Sequence, residues 1–147
     1  MRVLSTVLLL SISAVSSRGV ETVHDLPIQA VSVAGRLFCG DEPLVNVPVK
    51  LIDRDHGRDR DDLLDEKKTD DEGKFHVTGG TYERGTIEPA LKIYHDCNDE
   101  NVKCQKRLFW HIPQKYVSTD LHQIPVFNLG SINLELGFGN EKRDCRH

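Results

Sequence analysis

The stretch SVAGRLFCGDEPLVNVPVKLID, residues 32–53, contains two short strand-like runs joined by a loop. The first run, SVAGRLFC, covers 32–39, and the second, VPVKLID, covers 47–53. Apolar and β-branched residues that alternate with other residues are typical of strands, and the intervening GDEPLVN is rich in residues that favour turns. The stretch therefore predicts two successive β-strands in a hairpin-like arrangement with a long connection.

Three further segments in the middle of the chain also predict strands. In DDEGKFHV, residues 70–77, Gly73 follows an acidic run and indicates a tight turn that leads into a strand. PALKIYHD (89–96) and KRLFWHIP (106–113) alternate with period two and flank a cysteine-bearing loop. One face of each strand carries the apolar or aromatic side chains, which are Leu91, Ile93 and His95 in the first and Leu108, Trp110 and Ile112 in the second.

The segment PVFNLGSINLELGF, residues 125–138, shows the clearest alternation in the chain. It predicts a half-buried antiparallel strand with one apolar face, formed by Ile132, Leu134, Leu136 and Phe138. By contrast, DLLDEKK, residues 62–68, fits a short helix, a strand or a loop equally well. Its charged residues do not distinguish the three.

These segments together indicate an all-β chain. Short strands at regular spacing, with turn signals between them, are typical of a β-sandwich of two sheets. We therefore expect about seven to eight strands in two packed sheets, with at most one short helix.

The N-terminus, MRVLSTVLLLSISAVSS, has the pattern of a secretory signal peptide. One basic residue, Arg2, precedes an apolar run that is too short to span a membrane, and small residues precede the expected cleavage after Ser17. We expect residues 1–17 to be a signal peptide and residues 18–147 to form a single domain. The product would be secreted and extracellular.

The charge of the chain excludes some partners. Its formal net charge is −4, so it has no general attraction to nucleic acid or to anionic lipid headgroups. No second apolar stretch approaches the length of a membrane span. We expect a protein that does not span a membrane and whose contacts with any anion are local.

All four cysteines, Cys39, Cys97, Cys104 and Cys145, lie in the part predicted to be secreted. An even number of cysteines in an oxidising compartment predicts two disulfides. Two of the four lie in YHDCNDENVKC, residues 94–104, whose spacing does not fit a structural zinc site. We expect this stretch to be a stapled turn whose acidic residues face solvent.

The charged segment DRDHGRDRDDLLDE, residues 53–66, supplies many carboxylates that could bind a cation. Arginines interleave with these acids, however, and no glycine lies where a calcium-binding loop needs its sharp turn. We interpret the segment as a solvated loop with surface ion pairs. The sequence indicates no metal and no cofactor.

Four segments, taken in order, carry a resemblance to a known family. They are VAGRLFCGDEPLVNVPVKLID, KTDDEGKF, IYHDCND with a second cysteine soon after it, and GSINLELGF followed by RDC. In this combination, over about residues 31–147, the chain resembles the transthyretin-like family of secreted nematode proteins. The resemblance implies a transthyretin-type sandwich of two four-stranded sheets, secretion, and a binding or signalling role.

In such a sandwich Cys39, Cys97 and Cys104 come to the same end of the sheets. Cys39 can then pair with Cys97 or Cys104, and Cys145 on the tail would take the other. The alternative joins Cys97 to Cys104 and Cys39 to Cys145. The sequence does not choose among the three connectivities.

The residues of the related hydroxyisourate hydrolases do not carry over to this chain. Those enzymes end in Tyr-Arg-Gly-Ser and use two histidines and an arginine, whereas this chain ends in RDCRH, and its first strand offers only Arg36. Three histidines, His76, His95 and His111, lie on predicted strands and would have to converge to act in catalysis. We expect no catalytic residues and no enzyme activity.

Two kinds of binding function remain. The first is an extracellular adaptor that presents loops, among them 53–66 and 98–103, to a receptor, a cell surface or a lipid. The resemblance favours this function, because family members have been linked to bridging between cell surfaces and receptors. The second is a carrier of a small lipophilic ligand, which would need an open apolar cavity rather than a packed core.

Overall fold

A computed structural model of the protein describes residues 26–55, 60–99 and 102–146. Within these ranges the chain forms nine strands and two short 3₁₀ turns. The strands are β1 (Ile28–Cys39), β2 (Glu42–Pro43), β3 (Pro48–Asp53), β4 (Asp62–Lys68), β5 (Lys74–Tyr82), β6 (Pro89–His95), β7 (Gln105–His111), β8 (Val126–Asn133) and β9 (Lys142–Asp144). The predicted signal peptide, residues 1–17, lies outside the described residues.

The described strands form two sheets that pack face to face. Sheet A contains β2, β1, β5 and β8, with β1 at its centre, and sheet B has the order β4-β3-β6-β7-β9. The prediction of an all-β, two-sheet sandwich is confirmed. Sheet B has five strands rather than the four that the resemblance implies, because the tail adds β9 beside β7.

The core fills the space between the sheets. Alternate residues of each strand point inwards, so both sheets contribute one apolar face. The buried cluster contains Val31, Val33, Leu37, Val47, Val49, Leu51, Phe75, Val77, Leu91, Ile93, Cys97, Leu108, Ile112, Ile132 and Leu134. Trp110, the single tryptophan, is half-buried against this cluster and makes an edge contact with Phe138.

The predicted hairpin-like pairing of the first two strands is wrong. β1 and β3 lie in different sheets, and β3 pairs instead with β4 and β6. Their apolar side chains, Leu37 on β1 and Val49 and Leu51 on β3, belong to the same core cluster. Alternation shows which face of a strand is buried, but it does not show whether the next strand lies beside it or across the core.

The C-terminal strand also differs from its prediction. β8 ends at Asn133 and runs parallel to β1, not antiparallel to a neighbour. The Oδ1 atom of Asn133 accepts hydrogen bonds from the backbone N–H of Glu135, at 3.1 Å, and of Gly40, at 3.0 Å. These bonds begin a 3₁₀ turn at Leu134–Leu136, which leaves Leu136 79% exposed.

The ambiguous segment DLLDEKK is the strand β4. It pairs with the edge of β3 in sheet B and also lies against β5 of sheet A. The Oδ2 atom of Asp65 accepts a hydrogen bond from the backbone N–H of Thr78 at 3.0 Å. A Cβ on Gly79 would lie 2.3 Å from the carbonyl oxygen of Leu64, so only glycine permits this approach. As a result the C-terminal lysines of β4 lie next to sheet A.

Both disulfides lie at one end of the sandwich, which we call the disulfide end. Cys39–Cys97 connects β1 of sheet A with the residues after β6 of sheet B, and Cys104–Cys145 connects the tail with the start of β7. The prediction of two disulfides is confirmed, and the structure selects one of the three connectivities that the sequence leaves open.

One expectation about the stapled turn is wrong. Asp99 does not face solvent but is 4% exposed, and Arg143 donates hydrogen bonds from both terminal nitrogens to its carboxylate. The distance from Arg143 Nη1 to Asp99 Oδ2 is 2.9 Å. A carboxylate held by an arginine fork in this way can be buried, and the partner lies too far along the chain for the sequence to reveal it. Asp96, by contrast, is exposed as expected.

Among the described residues, no helix has the length and apolar character needed to cross a membrane.

Candidate functional site

The three strand histidines do not come together. His76 lies on β5 of sheet A, whereas His95 and His111 lie on sheet B. Within sheet B, His95 pairs with Lys106 and His111 pairs with Ala90, so the two histidines lie at opposite ends of the β6–β7 ladder. The structure therefore assembles no histidine centre from these residues.

The described part of the charged segment 53–66 offers no cation site. Residues 56–59 of segment 53–66, and residues 100 and 101 of loop 98–103, lie outside the described residues. Across 26–55, 60–99 and 102–146, no three His, Cys, Asp or Glu side chains are placed so that they could hold a metal ion. The interpretation of this segment as a solvated loop is wrong for most of its described residues, because Asp53 ends β3 and is 3% exposed, and residues 62–66 belong to β4. Asp61 accepts a hydrogen bond from Lys92 Nζ at 2.6 Å, and this ion pair is partly buried rather than on the open surface.

A groove of about 600 Å³ lies on the outer face of sheet A. Three strands of that sheet form its floor, and the end of β4 with the following turn forms one wall. We call it the basic groove, and it is lined by Ala34, Gly35, Arg36, Lys67, Lys68, Asp70, Lys74, Phe75, His76, Asn128, Gly130 and Ser131.

The register of sheet A arranges the floor of the basic groove in two rows. Residues that are directly opposite on neighbouring strands point to the same face of a sheet. Ala34 lies between His76 and Asn128, and on the same strand Arg36 lies between Lys74 and Ser131. Because alanine is small, the first row has a depression at its centre, and polar side chains stand on both sides of it.

The lining of the basic groove is strongly cationic. The lining includes four cations, Arg36, Lys67, Lys68 and Lys74, and one carboxylate, that of Asp70, although the chain as a whole carries a net charge of −4. The Oδ1 atom of Asp70 already accepts two backbone N–H bonds within the turn before β5, from Glu72 at 3.0 Å and from Lys74 at 2.8 Å. The cations of the lining therefore outnumber its acid, although Glu72 and Asp65 beside the groove pair with Lys74 and Lys67.

Arg36 is held in position at the centre of this lining. Its Nε atom donates a hydrogen bond to the carbonyl oxygen of Glu72 at 2.6 Å, and its guanidinium lies 4.5 Å from the ring centroid of Phe38. Both contacts fix the plane of the guanidinium, because a hydrogen bond to Nε and stacking on an aromatic ring restrict its rotation. The side chain thus loses little further freedom when it binds a ligand.

Two lysines of the basic groove make ion pairs in which the lysine side chain is exposed. Lys74 Nζ lies 2.5 Å from Glu72 Oε2, and Lys67 Nζ lies 3.8 Å from Asp65 Oδ1. The two lysine side chains are 55% and 59% exposed. Ion pairs at such exposure contribute at most about 1 kcal/mol, so a ligand can replace these partners at low cost.

His76 belongs to a small network of hydroxyl groups at the edge of the basic groove. Its Nε2 atom lies 2.7 Å from Ser32 Oγ, which in turn lies 2.8 Å from Thr78 Oγ1. A serine beside a histidine is one part of a nucleophilic site. Ser32 is only 3% exposed, however, and a nucleophile must be reached by its substrate. The network therefore orients the imidazole of His76.

Comparison with known proteins identifies the family of this chain. The profile described as "TTR-52: Transthyretin-like family" matches residues 34–113, which include the β1, β4 and β5 residues of the basic groove. The chain belongs to the transthyretin-like family. Membership of this family supports a binding protein rather than an enzyme.

Several curated transthyretin-like proteins of Caenorhabditis elegans are similar to the chain. Transthyretin-like protein 33 is 49% identical over 119 residues, which cover 81% of this chain and 83% of that protein. Transthyretin-like protein 46 is 40% identical over 117 residues, covering 79% of this chain and 65% of that protein. Transthyretin-like protein 5 is 40% identical over 119 residues, covering 81% of this chain and 86% of that protein.

This transthyretin-like chain has a second, smaller groove of about 300 Å³ on the outer face of sheet B. One of its cations, Arg107, forms a salt bridge with Asp144, with 2.7 Å between Arg107 Nη1 and Asp144 Oδ2. The guanidinium of Arg54 lies 6.0 Å from the ring centroid of Phe109. The groove is lined by Arg54, Arg107, Phe109, His111, Asn140 and Lys142. It provides cations of similar type for comparison with the basic groove.

His95 is a buried titratable group at the disulfide end of this transthyretin-like chain. It is fully buried, its Nδ1 atom accepts the backbone N–H of Cys97 at 3.3 Å, and its Nε2 atom lies 3.2 Å from Glu141 Oε1. Because Nδ1 accepts, Nε2 carries the proton and donates it to the carboxylate. Burial lowers the pKa of His95 below its usual range, and the charge of Glu141 opposes that change.

We expect His95 to make the chain less stable in mild acid. The folded protein holds the neutral imidazole, whereas the unfolded chain takes up a proton near the ordinary histidine pKa of 6.5. The stabilisation that the neutral His95 adds to the free energy of unfolding is therefore fully present above that pH. It is lost as the pH falls from there through the lowered pKa of the folded state. Urea denaturation at neutral and at mildly acidic pH measures the loss.

Two histidine variants test this expectation. His95→Gln should show a smaller fall in the free energy of unfolding between the two pH values than the unmodified chain. His122→Gln, which changes an exposed histidine, should show the same fall as the unmodified chain. An unchanged pH dependence in His95→Gln would show that other groups cause the acid sensitivity.

Proposed function

We propose that this transthyretin-like chain is a secreted, non-enzymatic binding protein that recognises a receptor or a lipid at a cell surface. Its contact surface is the basic groove of sheet A. The observation that carries the proposal is the concentration of four cations around a concavity of about 600 Å³ on a chain whose net charge is −4.

Secretion is supported by two features of the chain. Residues 1–17 have the pattern of a signal peptide, so residues 18–147 would form the mature domain. All cysteines of the chain are paired in two disulfides, and these bonds persist in oxidising compartments such as the extracellular space. Family membership is consistent with the same location.

The packing of the sandwich favours binding on its surface. Apolar side chains from both sheets form one buried cluster between them. A carrier of a lipophilic ligand would need an apolar cavity, whereas the basic groove is open and its walls carry arginine and lysine. Its floor does include the apolar Ala34 and Gly35, which offer contacts to the uncharged part of a ligand.

A cell-binding experiment tests the proposed function. The oxidised domain 18–147 is labelled and titrated onto dissociated nematode cells, and bound label is measured by flow cytometry. The groove variant is Lys68→Glu with Lys74→Glu, and the control variant is Arg54→Glu with Lys142→Glu from the second groove. Both variants change the net charge by the same amount.

The expected result is saturable binding by the unmodified domain and the control variant. The groove variant should bind about tenfold or more weakly, because hydrogen bonds to charged groups contribute about 1.5–3 kcal/mol each. Equal losses in both variants, or no loss in either, would contradict the proposal. If the domain binds no cells but takes up a hydrophobic dye that small lipophiles displace, the chain is a carrier.

A further inference from the structure

We propose that the basic groove binds a phosphate ester, with the phosphate group over Ala34 and the organic group along the rest of the groove. The inference rests on the proposed function, since it names the chemical class that the same surface recognises. It is carried by the arrangement of donors on three strands, by the fixed position of one arginine and by the size of the groove.

The donors of the basic groove surround one point on the floor. His76 and Asn128 stand on either side of Ala34, and the adjacent row on the same face is Lys74, Arg36 and Ser131. The Asn128 Oδ1 atom accepts the backbone N–H of Gly130 at 2.8 Å, so the donating amide nitrogen is the part left for a ligand. Amide, hydroxyl, ammonium and guanidinium groups together match a tetrahedral oxyanion, which accepts several hydrogen bonds from different directions.

Arg36 gives this cluster a preference for phosphate. Its contact with the Glu72 carbonyl uses only Nε, so the two terminal nitrogens remain as a fork in the lining of the basic groove. A planar fork binds two oxygens of a phosphate or carboxylate at once. The neighbouring lysines Lys67, Lys68 and Lys74 add three positive charges. Several cations attract a dianion more strongly than a monoanion, because the Coulomb energy scales with the charge of the ligand.

The size of the basic groove indicates that the phosphate carries an organic group. A volume of about 600 Å³ lies in the range of sites for small molecules and exceeds what one inorganic ion fills. The apolar part of the floor, Ala34 and Gly35, offers contacts to carbon atoms of such a group. A soluble phosphate ester and a phospholipid headgroup both supply this chemistry.

An NMR titration tests the inference directly. Glycerol phosphate and inorganic phosphate are titrated separately into the ¹⁵N-labelled oxidised domain, and backbone amide shifts are followed. The expected result is saturable shifts at Ala34, Arg36, Lys74, His76 and Ser131, with tighter binding of glycerol phosphate than of inorganic phosphate. Binding should weaken as sodium chloride is raised, because the lysines are exposed to solvent.

Variants separate the basic groove from general charge attraction. Lys68→Glu with Lys74→Glu should weaken binding of glycerol phosphate by about tenfold or more, whereas Arg54→Glu with Lys142→Glu should leave it within about twofold. Ser131→Ala removes one donor without a change of charge and should weaken binding severalfold. Trp110 fluorescence confirms that each variant is folded.

A vesicle experiment distinguishes the two sources of the phosphate ester. Vesicles of phosphatidylcholine, with and without phosphatidate, are sedimented with the domain. Binding only to the phosphatidate vesicles supports a headgroup as the ligand. Binding of glycerol phosphate without vesicle binding supports a soluble ester.

Several results would overturn the inference. These are the absence of saturable shifts with both phosphate compounds, shifts centred on the second groove, and equal losses in the groove and control variants. Cell binding that depends on the basic groove, without any binding of phosphate compounds, would overturn this inference and leave the proposed function intact. Phosphate binding in the groove without cell binding would overturn the proposed function and leave this inference intact.

Discussion

Replacement of Cys39 and Cys97 together by serine should lower the free energy of unfolding by about 4 kcal/mol. The bond between them spans a sequence separation of 58 residues, so its loss frees a long loop in the unfolded chain. It also connects β1 of sheet A with the end of β6 in sheet B, and Cys97 is 3% exposed in the core. Urea denaturation followed by Trp110 fluorescence measures the change.

The second disulfide is the matched control for this prediction. Cys104–Cys145 spans a separation of 41 residues, for which the same chain-entropy relation gives nearly the same stabilisation of about 4 kcal/mol. It fixes the tail against β7 within one sheet, and both cysteines lie outside the core cluster. We therefore expect the Cys39/Cys97 variant to be the less stable of the two. A variant of Cys39 and Cys97 with an unchanged urea midpoint would contradict this account of the disulfide end.

Ile93→Ala should lower the free energy of unfolding by about 3 kcal/mol. Ile93 is fully buried at the centre of β6, and its cross-strand partners are Val49 on β3 and Leu108 on β7. Truncation removes apolar contacts on both sides and leaves a cavity that the rigid sheets cannot close. Urea denaturation of the oxidised variant measures the loss.

Ile93→Val provides a graded comparison at the same position. It removes one methylene group and should cost about 1 kcal/mol. If Ile93→Ala cost no more than Ile93→Val, the site would relax to fill the cavity, and the core would not be packed as described.

The faces of the strands could be predicted because they depend on local alternation. Leu91, Ile93 and His95 share a face in the sequence, and all three are buried in the structure. The pairing of the strands could not be predicted from the sequence in this way. Alternation is the same for a parallel and an antiparallel strand, so it could not show that β8 runs parallel to β1. It also could not assign β1 and β3 to different sheets.

The disulfide connectivity illustrates a second limit of the sequence. Cys39, Cys97 and Cys104 come to one end of the sandwich, and the tail brings Cys145 to the same place. Topology alone therefore permits more than one pairing. The choice depends on the position of β9, which pairs with β7 and brings Cys145 next to Cys104.

The basic groove could not be predicted because its charges are mixed with acids along the chain. In DEKKTDDEGK, residues 65–74, three lysines stand among five acidic residues, so the segment has a net negative charge. The fold brings these lysines to one groove, although Lys74 and Lys67 keep ion pairs with Glu72 and Asp65. Lys74 and Arg36 occupy one face of sheet A by register, and Gly79 allows β4 to bring Lys67 and Lys68 beside them.

The affinity of the groove variant for cells, compared with that of the control variant, tests the central claim most directly. The claim is that the basic groove of sheet A is the surface through which this transthyretin-like chain binds its partner. We predict that Lys68→Glu with Lys74→Glu binds about tenfold or more weakly than Arg54→Glu with Lys142→Glu, although both are equally charged and folded. Equal affinities of the two variants would contradict the claim.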